Sequence, residues 1–409
     1  MQILFKQISL KKAQTIALLL FVGLFLYFGL PSLYQRISWC DGYALGDWMI
    51  NYQDGGFKRR GLSGSFFILV SEITGIYVGK LVFIFILSMY LMFSSMLVFY
   101  FRRIKFDFYL LLLFLLPTVL LFPINDLYAF GRKEILFYNI FLFFIISYTK
   151  TNVFSWRYIL ILSLLLFITT FFHELVIFYV PYILLIYFKD LILNKKGSLI
   201  KIFIIGFSSF LPALSIFLFG AGINEGHSWE IFHKMGVSEN IMHGIFSWPK
   251  EGFGSDQVNS LHFALSKNYP LYGISYLITL ILFFLLLLKH RFFKFNFLQV
   301  FSFHIILMAI SFPIFFLTID WGRWLNIHFI CMLFFVSTFY QKNEVIDHFT
   351  IKNMLSRYSS IPFIRKLLIL IILTFGFMMQ HVDVGFKLGQ NNLLLQLRDL
   401  FWNVRHFNF

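Results

Sequence analysis

Long apolar stretches, separated by short polar ones, set the pattern of this chain. Eleven run roughly over 13–31, 77–101, 107–122, 134–148, 157–172, 174–188, 201–220, 269–288, 297–318, 325–341 and 366–382. Most approach the ~20 residues a helix needs to cross about 30 Å of hydrocarbon. None alternates apolar and polar positions as a strand would, so helices and not a β-barrel satisfy the backbone in a bilayer. The pattern predicts an all-α, polytopic integral membrane protein of about 11 transmembrane helices. The stretches 157–172 and 174–188 are short and almost touch, which also fits a hairpin that fails to cross fully. No internal repeat and no Pro/Gly/Ser linker interrupts the series, so residues 1–409 read as a single transmembrane domain.

Composition supports that class. The 409 residues are 59% hydrophobic and 13% charged, with a mean hydropathy of +0.79. A soluble domain with so few charges could not clothe its surface. The 59 Phe accompany abundant Ile, Lys, Asn and Tyr, as codon bias in an AT-rich genome produces. A net charge of +15 would point to nucleic acid in a soluble protein. In a membrane chain it reflects the positive-inside bias and anionic lipid headgroups, and no nucleic-acid partner is expected. Cys40 follows the first stretch and Cys331 lies inside a late one, so no disulfide is expected. Lys6, Lys11 and Lys12 precede the first stretch without a cleavage site, which reads as a signal anchor.

The charges also orient the chain. With the N-terminus inside, segments 1–12, 102–106, 149–157, 189–201, 289–294 and 342–366 are cytoplasmic, short and rich in Lys and Arg. The opposite segments are longer in total and hold fewer cations, so the expectation is N-in, C-out. Extracytoplasmic loops then fall at about 32–64, 123–134 and 221–268, with a tail at 383–409. Leu393, Leu394, Leu397, Leu400 and Phe401 recur near helical spacing in that tail, as in an interfacial helix. The largest loop holds His227, His233, His243 and His262.

Four polar clusters carry candidate chemistry. The first loop contains Asp41, Asp47 and Asp54, then Gly55-Gly56-Phe57-Lys58-Arg59-Arg60-Gly61. Three adjacent cations on the outer side oppose the insertion bias. A Gly-flanked Arg pair suits phosphate, because guanidinium forks match phosphate oxygens and glycines let backbone N–H groups approach. Snorkelling of Arg59 and Arg60 to lipid phosphates is the structural alternative. The second loop offers Asn125, Asp126, Arg132, Lys133 and Glu134, either a further phosphate contact through Arg132 or a self-neutralised turn. His173-Glu174 is an ionisable pair between two apolar stretches, where such groups are costly and face a cavity or a partner. A carboxylate beside an imidazole can tune it for proton transfer. It is not an HExxH zinc motif, because Ile177 stands where the second His would be. Finally, Asp320 and Arg323 share a helix face at three-residue spacing, with Trp321 and Trp324 beside them. These are interface anchors or the walls of a sugar-phosphate site.

Under one topology all these clusters fall at the outer face. In this the chain resembles the Wzy-type O-antigen and capsule repeat-unit polymerases and, more broadly, the GT-C class of membrane glycosyltransferases. The shared features are a Phe/Leu-rich multi-span body, outer loops with scattered Arg, His, Asp and Glu, and an acid just after the first span, a place held here by Asp41, Asp47 and Asp54.

The resemblance implies a GT-C-like fold in the bacterial inner membrane and a polymerase of polyprenyl-diphosphate-linked repeat units. A sugar hydroxyl of one lipid-linked unit would attack the anomeric carbon of another, releasing polyprenyl diphosphate. Lys58, Arg59, Arg60, Arg132 and Arg323, with Asp320, Trp321 and Trp324, would bind substrate and diphosphate. His173, Glu174, Asp41, Asp47 or Asp54 would serve as base. No metal or cofactor is expected, and a chain-length regulator is a candidate protein partner. The alternatives are a GT-C transferase adding one sugar from a polyprenyl-phosphate donor, and a lipid-linked glycan transporter.

Overall fold

The computed structural model describes residues 10–104, 113–114, 116, 118–150, 155–194, 198–220, 222–243, 270–290, 297–317, 320–341, 379–381 and 386–388. In chain order the α-helices are α1 (Leu10–Ser38), α2 (Leu45–Met49), α3 (Gly61–Thr74), α4 (Val78–Phe101), α5 (Phe122–Asn125), α6 (Glu134–Lys150), α7 (Trp156–Phe172), α8 (Val180–Asn194), α9 (Leu199–Phe219), α10 (Glu225–Lys234), α11 (Pro270–His290), α12 (Phe297–Leu317) and α13 (Trp321–Gln341). Three-residue to five-residue 3-10 turns stand at Leu127–Ala129, Glu174–Phe178 and Glu239–Met242. Strands β1 (Met379–His381) and β2 (Phe386–Leu388) form one antiparallel pair, with Gln380 opposite Lys387. The rest of the predicted span 366–382 and of the tail, including Leu393 to Phe401, lies outside the described residues, as does His262.

Leu18–Ser38, Val78–Phe101 and Leu199–Phe219 are long and apolar enough to cross a membrane. Their faces are apolar outward as well as inward: Leu20, Ile84 and Phe217 are all exposed. A helix apolar all round belongs in lipid or in a deep core, and the protein is a helical membrane protein.

Two expectations need correction. The first loop does not run unbroken over 32–64, because α1 continues to Ser38 and α3 begins at Gly61. With 14 residues, α3 is only about 21 Å long at 1.5 Å per residue, too short to register as a span. The stretch 107–122 does not end as one helix, since residues 118–121 form a turn before α5. Pro117 and Pro123 punctuate it: Leu116, just before a proline, lies outside a helix, as expected when the ring disfavours α geometry at the preceding residue. The stretches 157–172 and 174–188 part where the sequence divides them, at His173, whose extended backbone (φ −154°, ψ 97°) caps α7 before the 3-10 turn.

The chain divides into two compact units, residues 1–29, 98–129 and 257–409, and residues 30–97 and 130–256. In the first, Tyr100 bonds Ser337 at 2.9 Å, Thr118 bonds Thr279 at 2.6 Å, and Asn326 donates to the Val119 carbonyl at 2.5 Å. These buried bonds fasten α13 and α11 within a largely apolar core that also buries His304 and His328. In the second unit, α7 packs on α9, α6 and α3. Trp48, fully buried, anchors α2: its indole N–H donates to the Gly131 carbonyl at 2.7 Å, and the Gly131 N–H donates to the Tyr90 hydroxyl at 3.0 Å.

Candidate functional site

The second unit gathers its charges where α7 ends and α3 and α6 begin. Arg60 occupies the N-cap of α3 in the left-handed region (φ 62°), a conformation that costs a non-glycine residue about 1 kcal/mol or more. The turn throws its side chain inward. Its Nη1 donates to Asp47 Oδ1 at 2.8 Å. Its Nε and Nη2 donate to the two oxygens of Glu174 at 3.3 and 3.4 Å. Arg59 reaches the same carboxylate, Nε to Oε1 at 2.5 Å, but keeps 46% of its side chain exposed. One buried guanidinium therefore bridges two carboxylates, and one half-exposed guanidinium closes the outside.

Lys133 enters from the start of α6. It is fully buried, donates to Ser63 Oγ at 2.8 Å, sits 3.9 Å from Asp47 Oδ1 and stacks over Trp48 at 5.4 Å. Burial pushes its ammonium down to about 8, against the partial support of Asp47. Burial alone would raise the Asp47 carboxyl, but Lys133, Arg60 and Arg132 together hold it well below the usual carboxylate range. Opposite charges thus override desolvation at the acid and only partly offset it at the lysine.

His173 is 2% exposed. Its Nε2 lies 3.1 Å from Glu134 Oε1, and its Nδ1 has no hydrogen-bond partner among the described residues. Burial, and next the Arg60 charge, lower its proton affinity, with Glu134 opposing. The imidazole is therefore neutral near neutral pH.

The structure thus brings together Asp47, Arg59, Arg60, His173 and Glu174, and gives the other candidates partners of their own. Lys58 turns away from the two arginines to a buried ion pair with Asp54 and to the Gly55 carbonyl at 2.7 Å. Gly55 and Gly56 have φ of 107° and 86°, which lets the loop reverse there. Asp54 also accepts from the Ser228 hydroxyl of α10. Asp41 pairs with Arg36 at 2.8 Å, which holds its carboxyl below the ordinary value although burial opposes this. Arg132 lies over the Tyr43 ring at 5.8 Å and adds its charge at Asp47. In the other unit Asp320 and Arg323 form the expected i, i+3 pair at 2.9 Å. There Arg323 stacks on Trp324 at 4.3 Å, and the Trp321 N–H donates to the Phe315 carbonyl at 2.8 Å.

Sequence reasoning named Lys133 and Glu134 as loop residues but gave them no role in the site, and it missed Ser63 and Trp48. Adjacent numbering favoured Glu174 as the partner of His173. A carboxylate at the first helical position after a Gly-Arg-Lys turn was the only available sign for Glu134. Among the described residues no group of three or more His, Cys, Asp or Glu could hold a metal ion. Cys40 and Cys331 are both buried and free. No protein-family model, curated protein or solved structure matches the chain.

Proposed function

We propose that this chain is a multi-pass glycosyltransferase of the bacterial inner membrane that polymerises polyprenyl-diphosphate-linked oligosaccharide repeat units at the extracytoplasmic face. The observation that carries the reading is the Asp47–Arg60–Glu174–Arg59 cluster, a buried ion network at the ends of apolar helices. It presents one half-exposed guanidinium outward and keeps one buried imidazole behind it. A lipid diphosphate is the substrate class that places a strongly anionic leaving group at such a depth. Arg59 can exchange its bond to Glu174 for a phosphate oxygen without leaving a buried charge unpaired, because Arg60 still neutralises Glu174. Arg60, locked from both sides, holds the positive field in place while charge develops on the leaving diphosphate. The glycan part of the proposal comes from the likeness to repeat-unit polymerases and GT-C transferases, which also place an acid after the first span, as Asp47 stands here.

The reaction has a good leaving group. The acceptor hydroxyl oxygen bonds to the anomeric carbon as the carbon–oxygen bond to phosphate breaks, and the electron pair leaves on polyprenyl diphosphate. Purified protein incubated with a lipid-linked repeat unit should give a ladder of longer lipid-linked chains. Addition of a single sugar from a polyprenyl-phosphate donor, with no ladder, would replace polymerisation with the single-transfer alternative. Absence of any glycan product would overturn both.

A further inference from the structure

We infer that the shared end of α7 and α9 binds an anionic phospholipid, with its phosphate held by Arg157 and Lys201 and its acyl chains laid along the exposed apolar faces of the same two helices. The inference goes beyond the glycosyl-transfer reading and does not depend on it. Helix α7 has 17 residues, about 25 Å at 1.5 Å per residue, so this end lies a helix length from the His173–Glu174 break.

The two helices begin together. Trp156 is the first residue of α7, and Lys201, in the first turn of α9, sets its ammonium over the Trp156 ring at 5.1 Å. This cation–π contact fixes the lysine head beside the indole. Arg157 follows in the first turn of α7 and is exposed. An indole joins an apolar body to a polar N–H and settles at a membrane–water boundary, and Trp156 is 48% exposed. Cations in a first helical turn have the wrong sign for the helix dipole, so Arg157 and Lys201 do not serve the stability of their own helices. A phosphate at this level answers both cations, and the arginine fork matches its oxygens.

Next to the cations both helices turn apolar surface outward. Leu160 and Leu164 continue the row of Trp156 along α7, and Phe203, Phe207 and Phe210 form a row on α9; all five are exposed. The Phe203 and Phe207 rings stack with centroids 5.4 Å apart, which flattens the patch. From Lys201 to Phe210 the axis advances about 14 Å, close to the depth of one leaflet of a hydrocarbon core ~30 Å thick. Two cations at the boundary and a leaflet's depth of apolar surface beside them suit a molecule with an anionic head and hydrocarbon chains. Free phosphate would use only the cations. A zwitterionic lipid would use the apolar surface but bring no net charge to the cations.

The test follows binding of fluorescent dioleoyl phosphatidylglycerol to the purified full chain in detergent, with dioleoyl phosphatidylcholine and glycerol 3-phosphate as competitors. Wild type should bind the anionic lipid, phosphatidylcholine should compete about tenfold less well than unlabelled phosphatidylglycerol, and glycerol 3-phosphate should not compete. Added salt should weaken binding, because the cations lie at the surface. Arg157→Gln should lose about fivefold in affinity, and the double variant with Lys201→Gln about 30-fold. Arg157 is exposed, so its replacement leaves the packing intact and reads the site by itself even where the double variant does not fold. Arg59→Gln should bind the lipid as wild type does, which separates this end of α7 from the cluster at the other. Equal competition by phosphatidylcholine, unchanged affinity in Arg157→Gln, or a loss in Arg59→Gln in place of Arg157→Gln overturns the site. Glycerol 3-phosphate competing as well as the lipid overturns the lipid as its occupant in favour of free phosphate.

Discussion

Arg60 and Glu174 are 114 residues apart in the chain, yet two nitrogens of the one guanidinium meet both oxygens of the other, at 3.3 and 3.4 Å. The contact joins the cap of α3 to the break after α7. Because Arg60 also holds Asp47, removing it leaves Glu174 to the half-exposed Arg59 and Asp47 to the more distant Lys133.

Arg60→Ala should therefore be among the most damaging single changes in this unit. Breaking a buried pair by deleting one partner typically costs about 3–5 kcal/mol, because the remaining charge is uncompensated. Arg60→Lys should recover only part of this, since an ammonium is a point charge and cannot span two carboxylates as a fork does. Denaturant midpoints of the purified variants in detergent check the ranking. An Arg60→Ala protein within 1 kcal/mol of wild type would mean the cluster is not a cooperative unit.

Stability should also depend on pH at both ends of the scale, with signs set by Asp47 and Lys133. The Asp47 carboxyl is depressed from its ordinary 3.8, so its contribution is complete above that value and is lost as pH falls below it. The Lys133 ammonium is depressed from 10.5 to about 8. Between those values the unfolded chain binds more protons than the folded one, so stability rises with pH there. Below about 8 both forms are protonated and the slope vanishes. Asp47→Asn should flatten the acid limb, and Lys133→Met the alkaline one. Unfolding midpoints measured from pH 3 to pH 10.5, roughly the ordinary range of these two groups, decide both.

What the sequence could and could not convey follows from these contacts. Hydropathy locates α4 and α9 almost to the residue, because a long apolar run needs no partner to identify it. Asp320–Arg323 was legible for a similar reason: a three-residue separation on a helix is local geometry. Helix α3 was not, being too short to look like a span, and its packing on α2 and α7 is a tertiary matter. The His173–Glu134 contact spans 39 residues, and Lys133 reaches Ser63 across 70. Neither pairing has any local spacing to read. Lys58 misled, because adjacency to two arginines says nothing about which way the Gly55-Gly56 reversal turns it.

The segment carrying α10 should be tied to the first loop by a small number of polar contacts. The Ser228 hydroxyl donates to Asp54, already paired with Lys58. A Cβ on Gly42 would collide with the backbone carbonyl of His243. Ser228→Ala removes one charge-assisted bond, worth about 1.5–3 kcal/mol, and Gly42→Ala forces the two strands of chain apart. Both should raise amide hydrogen exchange across 225–243 while α7 and α9 keep their protection. Uniform loss of protection through the unit would show instead that this segment is part of its cooperative core.

Arg59 should separate binding from folding. Its side chain is 46% exposed and shares Glu174 with Arg60, so its surface ion pair is worth no more than about 1 kcal/mol. Arg59→Ala should leave the denaturant midpoint nearly unchanged. Its loss should fall on the lipid diphosphate, because a charge-assisted hydrogen bond to phosphate contributes about 1.5–3 kcal/mol, or roughly 10- to 150-fold in affinity. Equilibrium binding of a polyprenyl diphosphate to wild type and to Arg59→Ala in detergent measures this, with the uncharged polyprenol as the control. A tenfold or larger loss confined to the diphosphate supports phosphate capture at Arg59. Equal losses for diphosphate and alcohol would mean the variant disturbs the hydrocarbon contact, and unchanged affinity for both would remove Arg59 from the site. The position of Arg59 makes the experiment interpretable, since the neighbouring Arg60 continues to hold Glu174 and Asp47 whichever residue stands at 59.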